Sequence, residues 1–76
     1  MTLFEYINGN IDRIRHDIKI GIITCTLLKH WQVYSRYEYY RRLGYTKTNC
    51  VFYVCNDFGL EQRWVYYIIK RMESKI

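Results

Sequence analysis

The chain has 76 residues and a mass of 9.5 kDa, which is the size of one small domain. Half of the residues are hydrophobic, 18% are aromatic and 25% are charged, a composition too apolar for a disordered tail. Proline is absent and glycine occurs only four times, so helices are favoured over loop-rich structure. We therefore predict a single all-α domain over residues 1–76, with three or four helices.

The net charge of +5 is distributed unevenly. Residues 1–20 carry three cationic and three acidic side chains, whereas residues 21–76 carry nine cationic and four acidic ones. A neutral first segment before a basic remainder favours packing or association by the first and a polyanionic partner for the second. A basic surface that is merely solvated is the alternative that charge alone leaves open.

Several classes of protein are not expected. The longest nearly uncharged run, Ile20 to Leu28, has nine residues, whereas a membrane span needs about 20. The N-terminus lacks the charged head and cleavage site of a signal peptide, so export is not predicted. Cys25, Cys50 and Cys55 form no C-x-x-C pair, so we expect free thiols in a reducing cytoplasm, no metal and no cofactor.

An enzyme is not predicted either. No phosphate-binding loop, no pair of carboxylates at a pocket and no nucleophile with a base can be assembled from the sequence. His16 and His30 fall on separate predicted helices, where each is expected at the surface or in packing. We therefore expect a binding protein.

The first predicted helix covers roughly residues 3–20 and ends at Gly21. Thr2 and Glu5 have the spacing of a capping box at its start. One apolar stripe recurs every three or four positions: Leu3, Ile7, Ile11, Ile14 and Ile18. Asn10 could cap a second helix, but the unbroken stripe favours one. The stripe either closes the core of the monomer or forms a homodimer.

The next predicted helix is capped by Thr24 or Thr26 and runs to about Leu43, before Gly44. Four residues are expected to face the core, with the buried face then shifting toward Tyr37: Leu27, Leu28, Trp31 and Tyr34. Five tyrosines lie among the cations of this region: Tyr34, Tyr37, Tyr39, Tyr40 and Tyr45. Such mixing suits phosphate contacts and base stacking, although we expect packing for most of these rings.

Residues 51–70 have the layout of a helix-turn-helix. An amphipathic helix of about two turns is predicted from the spacing of four residues: Val51, Val54, Cys55 and Phe58. Thr48 or Asn49 stands at its N-cap position, and Gly59 supplies the left-handed residue of a sharp turn. Leu60 is expected to pack that turn against the core.

A second helix is predicted to open at Glu61, whose carboxylate suits a helix N-terminus. Its buried stripe consists of Val65, Ile68, Ile69 and Met72. Seven positions at which a helix-turn-helix restricts residue type are suitably filled: Val54, Cys55, Phe58, Gly59, Leu60, Val65 and Ile68. The predicted motif spans about residues 49–72, and a plain helical hairpin with a glycine turn is the alternative.

The string from Phe58 to Arg71, FGLEQRWVYYIIKR, resembles the second half of the helix-turn-helix in Mor-type phage transcription activators and other small bacterial or mobile-element regulators. The resemblance covers about residues 48–72. Glu61 stands where these proteins usually have Ser or Thr, and Cys55 where they usually have Ala. Together with the helix-turn-helix layout, the resemblance implies sequence-specific binding of double-stranded DNA and transcriptional regulation in a bacterium or its mobile element.

The outward side chains of the second helix are the predicted DNA-binding residues. Four near its N-terminus are expected to read bases: Gln62, Arg63, Tyr66 and Tyr67. Five cations are expected to hold phosphates: Lys47, Lys70, Arg71, Arg41 and Arg42. Trp64 is expected to pack or to lie on the phosphate side. For any single residue, a solvated surface role is the alternative.

The predicted partners are double-stranded DNA and a second copy of the chain. Pairing through the Leu3–Ile18 stripe would place two recognition helices about 34 Å apart, one turn of DNA. Two other functions stay open. One is a helical protein-interaction module that uses the stripe and the tyrosine surface without DNA, and the other is RNA or non-specific binding through the basic, tyrosine-rich helix.

Overall fold

The computed structural model describes residues 1–21 and 25–75. Within them the chain forms five helices: α1 (Leu3–Gly9), α2 (Ile11–Lys19), α3 (Cys25–Arg42), α4 (Lys47–Phe58) and α5 (Gln62–Glu73). The predicted all-α class is confirmed, whereas the predicted count of three or four helices is too low. None of the helices in the described part of the chain is long and apolar enough to cross a membrane.

The additional helix arises from a break at Asn10, so the single helix predicted over residues 3–20 is wrong. Asn10 has φ −126° and ψ 22°, outside the helical region, and its side-chain Nδ2 donates to the carbonyl of Tyr6 at 2.8 Å. The predicted capping box is present, because Thr2 Oγ1 accepts from the Glu5 N–H at 3.2 Å and Glu5 Oε1 accepts from the Thr2 N–H at 2.9 Å. These hydrogen bonds lower the pKa of Glu5 below its ordinary value.

The isoleucine stripe closes the core of the monomer. Ile7 is 0% exposed and Ile14 is 4% exposed, and the other three stripe residues pack partly buried against the same core. The turn at Asn10 does not displace the stripe, since Ile7 of α1 and Ile14 of α2 are both buried in the same core. The stripe therefore serves packing within the monomer, and a homodimer through its three partly exposed residues stays a prediction.

The long helix α3 contacts all four other helices, so its buried face is broader than one row of residues. Tyr34 and Tyr37 are buried as predicted, and Val33, which the single-row prediction omitted, is buried with them. Leu27 and Trp31 are partly buried against the core, and Leu28 is half-buried.

The predicted ends of α3 need small corrections. The helix begins at Cys25, so Thr26 lies inside its first turn and is not its cap. Thr24, the alternative cap, lies outside the described residues. The helix ends at Arg42, one residue before the predicted Leu43.

Helices α4 and α5 are joined by a three-residue turn, as the spacing predicted. Gly59 adopts φ 66° and ψ 33°, the left-handed conformation that favours glycine. The cap of α4 is Thr46, whose Oγ1 accepts from the Asn49 N–H at 3.3 Å, so the predicted caps Thr48 and Asn49 are wrong. Glu61 occupies the N-cap position of α5 but its side chain makes no capping hydrogen bond.

The inward face of α5 matches the prediction, because four residues are all buried: Val65, Ile68, Ile69 and Met72. On α4, Val51 and Val54 are buried as expected, but Phe58 is 39% exposed and its predicted core position is wrong. Cys50, which was not among the predicted apolar positions, is buried on the same helix. Phe58 is the last residue of α4, and it lines a surface depression together with Gln32 and other residues of α3.

Candidate nucleic-acid interface

One face of α5 combines cations and aromatic rings. Arg63, Tyr66, Tyr67 and Lys70 follow the spacing i, i+3, i+4, i+7, which places all four on the side opposite the buried stripe. All four are exposed, Tyr66 by 38% and Tyr67 by 54%. We call these four residues the α5 outer face. Gln62, also exposed, stands at its N-terminal edge.

Arg63 has close but weak partners at the start of this face. Its Nε lies 3.0 Å from Glu61 Oε2, and both side chains are largely exposed. Its guanidinium carbon lies 5.7 Å from the centre of the Trp64 ring, and Trp64 meets Tyr67 edge-on at 6.2 Å. An exposed ion pair contributes only about 0–1 kcal/mol, so Arg63 can exchange Glu61 for a stronger acceptor at little cost.

A second group of predicted residues meets where α4 begins. Lys47, the first residue of α4, lines a surface depression of about 540 Å³ together with Tyr66 and Lys70 of α5. Ile69, Glu73 and Ser74 complete its lining. The fold thus brings together two of the five predicted phosphate ligands, Lys47 and Lys70, and places Tyr66, a second member of the α5 outer face, beside them. We call this depression the Lys47–Lys70 groove.

The other three predicted phosphate ligands lie elsewhere. Arg71 is half-buried, and its Nη1 donates to His30 Nδ1 at 2.9 Å. Arg41 Nη1 donates to the Tyr45 carbonyl at 3.1 Å, and Arg42 borders a depression beside α1. None of the three lines the Lys47–Lys70 groove, so the structure assembles only part of the predicted set.

Most tyrosines of α3 serve in packing, as expected. Tyr34 is buried, and its hydroxyl donates to Glu73 Oε2 at 3.0 Å. Burial and this hydrogen bond raise the pKa of Tyr34 well above its ordinary value. Tyr40 is half-buried and donates to Asp57 Oδ2 at 2.6 Å. Tyr39 is 51% exposed, with the Arg36 guanidinium 5.6 Å above its ring.

His30 was not assigned a binding role from the sequence, yet it connects α3 to the α5 outer face. Besides accepting from Arg71, its ring meets the Tyr67 ring edge-on at 6.2 Å. Burial, followed by the nearby charge of Arg71, lowers the pKa of His30 below 6.5. Because Nδ1 accepts a hydrogen bond, the neutral ring carries its proton on Nε2. No local spacing links residues so far apart in the chain.

We expect this pair to make stability depend on pH. The pKa of His30 is lower in the folded protein than in the unfolded chain, so the unfolded chain binds the proton first and acidification below 6.5 favours unfolding. Thermal unfolding of the parent and of His30→Gln, measured from about pH 8 to pH 5, tests this. The glutamine oxygen can still accept from Arg71 but does not titrate, so the variant should lose less stability over that range. An equal loss in both proteins would assign the effect to other groups.

Comparisons with protein-family models, with curated proteins and with solved structures found no match for this chain. Among the described residues, no three His, Cys, Asp or Glu side chains are placed to hold a metal ion.

Proposed function

We propose that the protein binds double-stranded DNA sequence-specifically through a helix-turn-helix formed by α4 and α5, with α5 as the recognition helix. The observation that carries this proposal is the α5 outer face, where Arg63, Tyr66, Tyr67 and Lys70 stand exposed opposite a fully buried stripe. A helix of this kind fits the major groove, where base edges are accessible. The proposed role is transcriptional regulation in the cytoplasm of a bacterium or of the host of a mobile element, in line with the Mor-type resemblance of residues 48–72.

The two ends of the α5 outer face suit different contacts. Arg63 and Gln62 lie in the first turn of α5, where side chains of a recognition helix reach base edges. The guanidinium of Arg63 can form two hydrogen bonds to guanine, and the amide of Gln62 can form two to adenine. Lys70 lies about two turns further along and shares its groove with Lys47. Two ammonium groups on one groove suit the sugar–phosphate backbone, which carries no sequence information but sets the register of binding.

The proposal predicts a distinct salt dependence for Lys70→Gln. We expect the parent to bind random-sequence duplex with an affinity that falls linearly on a log–log plot against salt concentration. Loss of one phosphate contact should reduce the slope by about 0.9. Fluorescence anisotropy of a labelled duplex over a series of salt concentrations measures the slope.

The matched control is Lys19→Gln. Lys19 is an exposed residue at the end of α2, so this change removes the same charge away from α5. Its slope should equal that of the parent. Equal reductions in both variants would mean that the net charge acts diffusely without a defined phosphate contact. A parent that does not bind duplex at low salt would contradict DNA binding altogether, and the helical protein-interaction module would take its place.

A further inference from the structure

Phe58 lies between two surface depressions. Their volumes are about 450 and 460 Å³, and both are bordered by Phe58 and Gln32, so they form one bipartite surface that we call the Phe58 groove. Each volume falls within the range of about 300–1,000 Å³ that is typical of binding pockets. Phe58, whose predicted core position is wrong, is thus the residue shared by the two parts of this groove.

The lining of the groove is largely aromatic and aliphatic. Trp31 and Tyr39 of α3 line one side of Phe58, and Leu60, Trp64 and Ile68 line the other. Tyr39 and Trp64 are each 51% exposed. Large rings gathered on an open surface mark interaction sites, and tryptophan and tyrosine are enriched among the residues that dominate binding energy.

The two charged side chains that line the groove are both cationic. Lys29 borders one depression and Arg36 borders the other, and none of the described residues that line them is acidic. Arg36 Nε lies 3.9 Å from Asp57 Oδ2, an exposed pair too long to neutralise the guanidinium strongly. An occupant with carboxylates at its edges would complement these two cations.

We propose that the Phe58 groove docks an amphipathic helix from another protein. This helix places one apolar anchor side chain on each side of Phe58 and directs Asp or Glu toward Lys29 and Arg36. Trp31, Ser35 and Tyr39 line the groove at intervals of four residues, which corresponds to about 12 Å along α3. That length matches two turns of a docked helix, whose anchors recur at i, i+3 or i+4, and i+7.

The proposal is independent of DNA binding. None of the four residues of the α5 outer face is among those that line the groove, although His30 and Trp64 of the groove meet Tyr67 edge-on. The chain's two tryptophans, Trp31 and Trp64, both border the groove. Their intrinsic fluorescence therefore reports directly on its occupancy.

The test is a selection from a displayed library of random peptides about 16 residues long, long enough for about four helical turns. The full chain serves as the target. Enriched peptides should carry acidic residues around apolar positions spaced at i and i+4 or i+7, and the synthetic peptides should change tryptophan fluorescence. Failure to enrich any sequence, or enrichment of sequences without an acidic excess, would overturn the proposal.

Three variants localise the selected peptide. Phe58→Ala should weaken binding by about tenfold or more, as for a central anchor residue. Lys29→Glu, at an exposed position, should weaken it severalfold and remain informative should Phe58→Ala fold poorly. Phe52→Ala is the matched control, because Phe52 is a 61% exposed phenylalanine on α4 that does not line the groove, and it should bind as the parent does.

Three results would contradict the docking of a helical partner in the Phe58 groove. Parental peptide affinity in both Phe58→Ala and Lys29→Glu would place the peptide elsewhere. Concentration-dependent self-association that disappears in Phe58→Ala would give the groove to a second copy of the chain. A loss of duplex affinity in Phe58→Ala as large as its loss of peptide affinity would give the groove to DNA. Each result overturns the proposed helical partner without deciding whether the α5 outer face binds DNA.

Discussion

Replacing Ile69 with alanine is expected to destabilise the domain by about 2–5 kcal/mol. Ile69 is 2% exposed on α5, which packs against α1, α3 and α4, so the lost side chain leaves a cavity that three helices would have to close. At about 0.05–0.15 kcal/mol per residue, a chain of 76 residues has a total stability of roughly 4–11 kcal/mol. Denaturant unfolding followed by circular dichroism should therefore show a large shift of the midpoint.

Gln62→Ala is the control for this measurement. Gln62 lies on the same helix but is exposed, and alanine is a strong helix former, so the free energy of unfolding should change by less than about 0.5 kcal/mol. Equal losses in the two variants would contradict the assignment of inward and outward faces on α5. The DNA-binding proposal depends on that assignment.

Replacing Arg63 with alanine is expected to weaken binding to the preferred duplex by about 1–3 kcal/mol and to relax discrimination at one base pair. Arg63 lies in the first turn of the proposed recognition helix, and its weak pair with Glu61 leaves its guanidinium available to a base. Selection from random duplexes identifies the preferred site. Affinities of parent and variant for every single-base change then locate the position that Arg63 reads.

Lys70→Ala supplies the contrast on the same face. Loss of the Lys70 ammonium group should weaken binding to all sequences alike, because a phosphate contact does not distinguish bases. Both side chains are exposed, so neither change should alter the free energy of unfolding by more than about 0.5 kcal/mol. Parental binding of every duplex by both variants, with folding intact, would leave α4 and α5 as a plain helical hairpin.

The features predicted correctly from sequence are those with a local physical cause. The spacing of Val65, Ile68, Ile69 and Met72 defines one face of α5, and the face opposite is then determined by helix geometry alone. The turn at Gly59 was predictable because a left-handed residue is needed there and glycine has no Cβ to oppose it.

Other features required knowledge of packing. Asn8-Gly9-Asn10 and the isoleucine stripe make opposing predictions for residues 3–20, and a break that keeps the stripe packed against the core satisfies both. Thr46, Thr48 and Asn49 all have capping chemistry, so residue type alone cannot select Thr46. Val33 is buried because four helices pack against α3, and the sequence of α3 alone does not predict that number.

The candidate site was predictable only where it lies on one helix. Arg63, Tyr66, Tyr67 and Lys70 share a face because of their spacing, so their grouping follows from α5 alone. The pairing of Lys47 with Lys70 comes from the docking of α4 on α5, and that of His30 with Arg71 comes from the docking of α3. Contacts between distant segments carry no signal in local periodicity.

The position of His30 has a consequence for how the two proposed surfaces communicate. Its imidazole borders the Phe58 groove and also touches Tyr67 of the α5 outer face. An occupant that moves this ring changes the surroundings of a residue proposed to read DNA. Linkage then demands reciprocity: whatever factor a docked helix applies to duplex affinity, the duplex applies to the affinity for that helix. The two proposed surfaces are thus separated by the single aromatic ring of His30.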